Sequence, residues 1–250
     1  MEGLDGMVLP GGESTAMGLI GNSAMNPDGK NVWDGLRDFM KTKPTWGTCA
    51  GMILLAEQCV GSSAVIENGQ ALIGGVNILV CRNYFGSQVS SFEMATPAPP
   101  GIASQETYPG VFIRAPAILS AGNDVTILGK VVATPCRQAA VVLQELERKI
   151  ANGEKVVQME VVDALERKSD QDINYRVVVK PANQTEEEKK ETVEEGSIML
   201  PGAADGSNAR EVISAVQKGN LLCTAFHPEL TQDYRWHEYF RNMVVASKTA

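Results

Sequence analysis

The sequence predicts an α/β fold: a largely parallel β-sheet with helices on both faces. Three observations lead there. Apolar runs of strand length recur at residues 7–10, 76–80, 111–114, 124–128 and 221–226. Helically spaced apolar residues stand between several of them, as at residues 32–40. Glycine-bounded turns, at Gly11-Gly12 and from Gly47 to Gly51, carry the chain from strand to helix. Strands that are apolar throughout belong to sheets buried on both sides, and alternation of strand with helix favours parallel order.

Along the chain, Met7-Val8-Leu9-Pro10 reads as a buried strand running into Gly11-Gly12-Glu13-Ser14-Thr15, where a Ser/Thr-bearing helix start follows the glycines. Residues 32–40 place Val32, Trp33, Leu36, Phe39 and Met40 along one helical face. Pro44-Thr45-Trp46-Gly47 then leads to Cys49, and residues 50–56 hold no polar side chain until Glu57, as a buried helix would. The runs at 76–80, 111–114, 124–128 and 221–226 supply further strands.

The stretch from about 142 to 208 differs. It is rich in charge, including Glu186-Glu187-Glu188-Lys189-Lys190-Glu191, and reads as a solvated, partly helical surface insertion. A strand-like piece at 175–179 is placed to extend the sheet at an edge. The domain reading is one domain over residues 1–250 with this insertion. A core-like strand so near Met1 is either the first strand of the sheet or the remainder of a βα unit whose first part lies upstream.

Composition narrows the function. The 250 residues carry a formal net charge of −8, which argues against a nucleic-acid surface, since phosphate needs a basic footprint. No apolar run is long enough to span a bilayer, and Met1-Glu2-Gly3-Leu4-Asp5-Gly6 has no signal-peptide character. Cys49, Cys59, Cys81, Cys136 and Cys223 are an odd, scattered set without a Cys-x-x-Cys pair. A reducing, cytoplasmic setting fits them, and neither a disulfide framework nor a metal site is expected.

One cysteine stands in a chemical context. Gly47-Thr48-Cys49-Ala50-Gly51 has the form Gly-x-nucleophile-x-Gly between a strand signal and a buried helix, the nucleophile-elbow pattern with cysteine for serine. On so sharp a turn, bulk at either glycine would clash. The helix behind Cys49 presents its positive end to the sulfur, which favours the thiolate, and the Ala50 N–H becomes a candidate oxyanion donor. A buried structural cysteine is the alternative. A thiol nucleophile also needs a base. Of the two histidines, His227 follows the apolar run ending at Phe226, at a strand's carboxyl end, and Glu229 is placed to orient it. His237, in Trp236-His237-Glu238-Tyr239-Phe240, reads as a helix-face residue. Gly11-Gly12 permits close backbone approach, so the Gly12 N–H is a second oxyanion candidate, with an ordinary loop as the alternative.

Together these elements resemble the glutaminase subunit of the two-component pyridoxal 5′-phosphate synthases, within the class-I glutamine amidotransferases. The resemblance rests on Leu9-Pro10-Gly11-Gly12-Glu13-Ser14-Thr15, Trp46-Gly47-Thr48-Cys49-Ala50-Gly51, Arg82-Asn83-Tyr84-Phe85-Gly86-Ser87-Gln88, Ser91-Phe92-Glu93, Val111-Phe112-Ile113-Arg114-Ala115-Pro116 and Phe226-His227-Pro228-Glu229-Leu230-Thr231. It implies a three-layer, flavodoxin-like α/β fold and hydrolysis of L-glutamine by Cys49, His227 and Glu229 through a thioester. It implies that Gly12, Glu13 and Ser14 line the glutamine site and that Arg82, Ile113 and Arg114 bind the amino-acid end; the sequence itself gives no sign of a bound cofactor. The implied partner is a (β/α)₈-barrel synthase subunit that receives the ammonia.

This chain departs from the family pattern in three places. It starts at about the strand that follows the family's first strand–helix unit, which leaves a sheet edge open and predicts poor stability or activity. The 142–208 stretch exceeds what compact members need. Ser87 stands where many members carry a basic residue. Competing readings are an amidotransferase for another acceptor, an interaction subunit impaired by the missing unit, and an α/β-hydrolase-like thioesterase. The Gly-Gly-Glu-Ser-Thr and Arg-Asn-x-Phe-Gly elements count against the first, the intact Cys49, His227 and Glu229 against the second, and His-Pro-Glu against the third.

Overall fold

The computed structural model describes residues 3–23, 25, 29, 31–61, 71–86, 91–102, 106–152, 159–160, 178–179, 199–200 and 209–249. Ser87, Gln88, the 175–177 part of the strand-like piece and the run from Glu186 to Glu191 lie outside them. In chain order the elements are β1 (Met7–Leu9), α1 (Ser14–Ser23), α2 (Val32–Met40), β2 (Thr45–Thr48), α3 (Ala50–Leu55), β3 (Ala56–Val60), β4 (Val76–Cys81), β5 (Phe92–Pro97) and β6 (Thr107–Phe112). There follow β7 (Ala117–Ala121), β8 (Thr126–Ala133), α4 (Arg137–Ala151), the short β9 (Met159–Glu160), β10 (Val178–Val179) and β11 (Met199–Leu200), then β12 (Arg210–Lys218), β13 (Leu221–Thr224) and α5 (Arg235–Ser247).

The main sheet runs β1-β2-β13-β12-β7-β4-β3-β9, with β8 also paired to β12. The α/β class is as the sequence predicts, but the sheet is mixed. Strands β1, β2 and β13 are mutually parallel, as are β3 and β4. Strand β12 runs against β13, β7 and β8, and β7 runs against β4. The cause is local. Only Gly219 and Asn220 separate β12 from β13, and a connection that short can only return the chain antiparallel. Gly219 takes φ +56°, the left-handed conformation such a turn requires. Strand β1 lies at the end of the sheet, paired on one side to β2 among the described residues.

Alternation along β2 puts helices on both of its faces. Trp46 points to α5, its ring centroid 5.4 Å from that of His237 and 5.6 Å from that of Phe240. Gly47 points the other way, where a Cβ would meet Gly51 and Leu55 of α3. All six residues of α3 are buried. The helix ends one residue sooner than its apolar run suggests, at Leu55, because Ala56 turns extended and enters β3 at once. Its free end is met by returning chain: the Ile73 and Gly74 N–H groups donate to the Leu54 carbonyl at 2.8 and 3.0 Å.

The charged stretch begins inside a core helix. Ala139, Leu143 and Leu146 of α4, at i, i+4 and i+7, are 2%, 0% and 5% exposed, so its first turns are packed rather than solvated. Glu147 on the same helix pairs with Arg210 of β12. No helix among the described residues is long and apolar enough to cross a membrane.

Candidate active site

The parallel strands β1, β2 and β13 end together, and the site lies at their carboxyl edge. Cys49, just past β2, has φ 46° and ψ −103°. A non-glycine residue held there costs about 1–3 kcal/mol, so its surroundings must fix it. They do so with three hydrogen bonds: Cys49 N–H to the Thr224 carbonyl (2.9 Å), Gly51 N–H to the Pro10 carbonyl (3.1 Å) and Ile53 N–H to the Cys49 carbonyl (3.2 Å). The Ala50 N–H, at the first helical position, is one of those a helix leaves without an internal acceptor.

The glycines of the elbow are explained by distance. A Cβ on Gly51 would lie 2.0 Å from the Leu9 carbonyl oxygen, and one on Gly47 would lie 2.7 Å from the Gly51 backbone. Both walls are main chain. Gly11 has a different neighbour: a Cβ there would lie 2.5 Å from His227 Cε1 and 3.5 Å from Cys49 Cβ. The β1 loop thus lies against the His227 imidazole and the Cys49 side chain together, a closeness that nothing in the sequence announces.

His227 follows β13. Its N–H donates to the Val111 carbonyl at 2.8 Å, and the 3₁₀ turn Pro228–Leu230 brings Glu229 back to it. His227 Nδ1 and Glu229 Oε1 are 2.8 Å apart, leaving Nε2, buried and without a regular hydrogen-bond partner, as the nitrogen available to the thiol. Burial alone would lower the His227 pKa. Attraction to Cys49 and the hydrogen bond and attraction to Glu229 prevail and lift it to about 10. Burial likewise opposes ionisation of Glu229, but the imidazole hydrogen bond holds its carboxyl below the usual range. Burial pushes the Cys59 and Cys81 thiols up to about 12, and raises Cys223 as well. Those three sit in apolar surroundings that keep them protonated and inert.

A cavity of about 560 Å³ opens above Cys49. Of the residues picked from sequence, Gly12, Glu13, Ser14, Cys49, Ala50, Arg82, Ile113, Arg114 and His227 line it, and Glu229 stands behind His227. The Glu13 carboxylate accepts the Ala16 and Thr15 N–H groups at 2.7 and 3.2 Å, capping α1. Those bonds, with Arg82 nearby, outweigh burial and lower its pKa. Arg82, at 8% exposure, donates through Nη2 to Thr15 Oγ1 at 2.9 Å and lies 3.7 Å from Glu13 Oε1. Its Nη1 is buried with no protein acceptor, a charged donor open to an anionic group. Arg114 is exposed at the rim, with φ 48°.

Ile53, Asn83, Pro116 and Gln138 also line the cavity and were not singled out. Asn83 carried a faint signal, since asparagine tolerates a φ of 52° better than most residues other than glycine. Gln138 carried none; it arrives on the first turn of α4. Among the described residues no cluster of His, Cys, Asp or Glu could hold a metal ion.

Comparison with known proteins agrees in direction. Residues 1–151 match the SNO glutamine amidotransferase family. The chain is 38% identical over 242 residues to the probable pyridoxal 5′-phosphate synthase subunit PDX2 of Arabidopsis thaliana, covering 95% of this chain and 70% of that protein. It is 41% identical over 249 residues to the pyridoxal 5′-phosphate synthase subunit PdxT of Bacillus cytotoxicus, covering 99% of this chain and 80% of that protein. A crystal structure of a glutamine amidotransferase superposes with a TM-score of 0.55 at 24% identity, over 98% of this chain and 81% of that one, which shows the shared fold.

Proposed function

We propose that this chain, which belongs to the SNO glutamine amidotransferase family, hydrolyses L-glutamine to L-glutamate and ammonia and supplies the ammonia to a pyridoxal 5′-phosphate synthase. The observation that carries the reading is the strained Cys49 elbow beside the His227–Glu229 pair, under a cavity walled by Arg82.

In this mechanism the Cys49 thiolate attacks the substrate carboxamide carbon. The carbonyl oxygen becomes an oxyanion and is received by the Gly12 and Ala50 N–H groups. His227, held protonated by its neighbours, gives its Nε2 proton to the amide nitrogen as the C–N bond breaks. Ammonia leaves and a γ-glutamyl thioester remains on Cys49. A water molecule then attacks the thioester, passing a proton to His227, and glutamate and the thiolate separate. Glu229 keeps Nδ1 engaged, so that Nε2 is the nitrogen that exchanges protons. The Arg82 guanidinium meets the substrate α-carboxylate, and Arg114 and Ile113 close the same end.

The relatives' names are those of subunits of a synthase, which supports an ammonia acceptor on a partner subunit; in this reading that subunit is of (β/α)₈-barrel type. The free cysteines suit a cytoplasmic setting. The test is release of glutamate and ammonia from L-glutamine by the purified chain, with and without a purified synthase subunit. Turnover that requires Cys49 and rises with the synthase supports the reading, and absence of turnover in both conditions refutes it.

A further inference from the structure

The nucleophile and its base stand on different strands, Cys49 after β2 and His227 after β13. The β2–β13 ladder ends at the Thr48–Thr224 pair. Beyond it the two chains diverge, one into the elbow and the other toward the 3₁₀ turn. Thr224 is gripped at this last rung from two directions. Its carbonyl accepts the Cys49 N–H at 2.9 Å, and its Oγ1 accepts the Trp46 indole N–H at 3.1 Å. Thr224 is 0% and Trp46 1% exposed, so neither polar group has water as an alternative. The indole is wedged against His237 and Phe240 and has no room to follow a displaced acceptor.

We propose that Trp46 and Thr224 are positioning residues that set the distance and angle between the Cys49 thiol and the His227 imidazole. The proposal rests on reading that pair as nucleophile and base. A buried strand position of this kind is well served by valine, which matches threonine in shape but offers no acceptor. The hydroxyl makes sense here as the acceptor for Trp46. With it, the side chain three residues before Cys49 holds the residue three before His227 in fixed register. Without it, the buried indole donor is left unpaired, and local structure shifts to relieve it. Thr224 then tilts, and both catalytic groups move with it: Cys49 through its own amide, His227 through the short segment that joins them.

The test uses Thr224→Val, Thr224→Ser, Trp46→Phe and the double variant Thr224→Val/Trp46→Phe. It reads glutamine kcat and KM, the pH profile of Cys49 alkylation by iodoacetamide, and thermal unfolding. A misplacement of about 1 Å typically costs about 100-fold in rate, so Thr224→Val and Trp46→Phe should each lower kcat about 10- to 100-fold with KM little changed. Each should also shift the alkylation profile. Thr224→Ser keeps the acceptor and should recover most of the lost kcat. The double variant should be no slower than either single one, because both remove the same contact. If Thr224→Val and Trp46→Phe lower the unfolding temperature but leave kcat and the alkylation profile native, the pair is structural only and the proposal fails. If the native chain hydrolyses no glutamine, the functional reading fails separately, while the alkylation profiles still decide whether the pair positions the thiol.

Discussion

Replacing Gly11 with alanine puts the smallest possible side chain against the candidate base. The new Cβ would sit 2.5 Å from His227 Cε1, whereas carbon atoms make comfortable contact at about 3.5–4.0 Å. Either the ring or the loop must therefore move by about 1 Å. Gly11 does not hold a positive φ, so alanine brings no backbone strain of its own. The ring is the softer wall, yet its Nδ1 is tied to Glu229 at 2.8 Å. A shift of that size misaligns Nε2 with Cys49 and should lower glutamine turnover about 100-fold. Overpacking should cost about 1–3 kcal/mol of stability. Gly51→Ala makes the contrasting control: its Cβ would meet the Leu9 carbonyl at 2.0 Å, a main-chain wall, and should unfold the elbow rather than detune it. The assay is steady-state glutamine hydrolysis alongside thermal melts of both variants. A folded Gly11→Ala protein with native kcat would refute the reasoning, because the loop would then not bear on the imidazole.

Three other outcomes follow from the same geometry. His227→Asn should reduce turnover by about 10²–10⁴-fold or more, while His237→Asn, on the far side of Trp46, should stay within about tenfold of native; equal losses in a rate assay would show the roles misassigned. The His227 pKa is raised to about 10 in the folded chain, against about 6.5 when unfolded, so its stabilising contribution is whole below about 6.5 and is lost as pH rises through about 10. The unfolding-temperature gap between native protein and His227→Asn should accordingly be widest at mildly acid pH and close at alkaline pH, and a gap that widens with pH would contradict the pairing. Leu143→Ala should cost about 2–5 kcal/mol in denaturant melts with kcat unchanged, since Leu143 is fully buried in α4 but is not among the cavity's lining residues; a cost near zero would mean that the helix does not pack as described.

What could be read from sequence was what depends on neighbours in the chain. The elbow was legible because the steric demand falls on Gly47 and Gly51, two residues either side of Cys49. The His227–Glu229 contact was legible for the same reason, its members being two residues apart. Strands β1, β4 and β13 were legible from their apolar runs, whereas β3, with Glu57 and Gln58 near its start, was not. Pairings set by distant parts were not. The β12 strand, Arg210–Lys218, is polar at several positions, which hid it as a strand, and its antiparallel pairing with β7 and β8 joins residues far apart in the chain. The charge of the 142–208 stretch masked the spacing of Leu143 and Leu146, which buries the start of that stretch. Gln138 reaches the cavity only because α4 packs where it does. The Trp46–Thr224 hydrogen bond spans 178 residues, and nothing near either residue announces it.

The central claim is that Cys49 carries the glutamyl group during turnover. It is tested most directly by acid-quenching the chain during steady-state hydrolysis of L-glutamine and locating any acyl adduct by peptide mass spectrometry. The account predicts a glutamyl thioester on the peptide containing Cys49, accumulating within the first turnover and absent from a folded Cys49→Ala protein that releases no glutamate. Glutamate release by Cys49→Ala at the native rate, or an adduct on another residue, would contradict it.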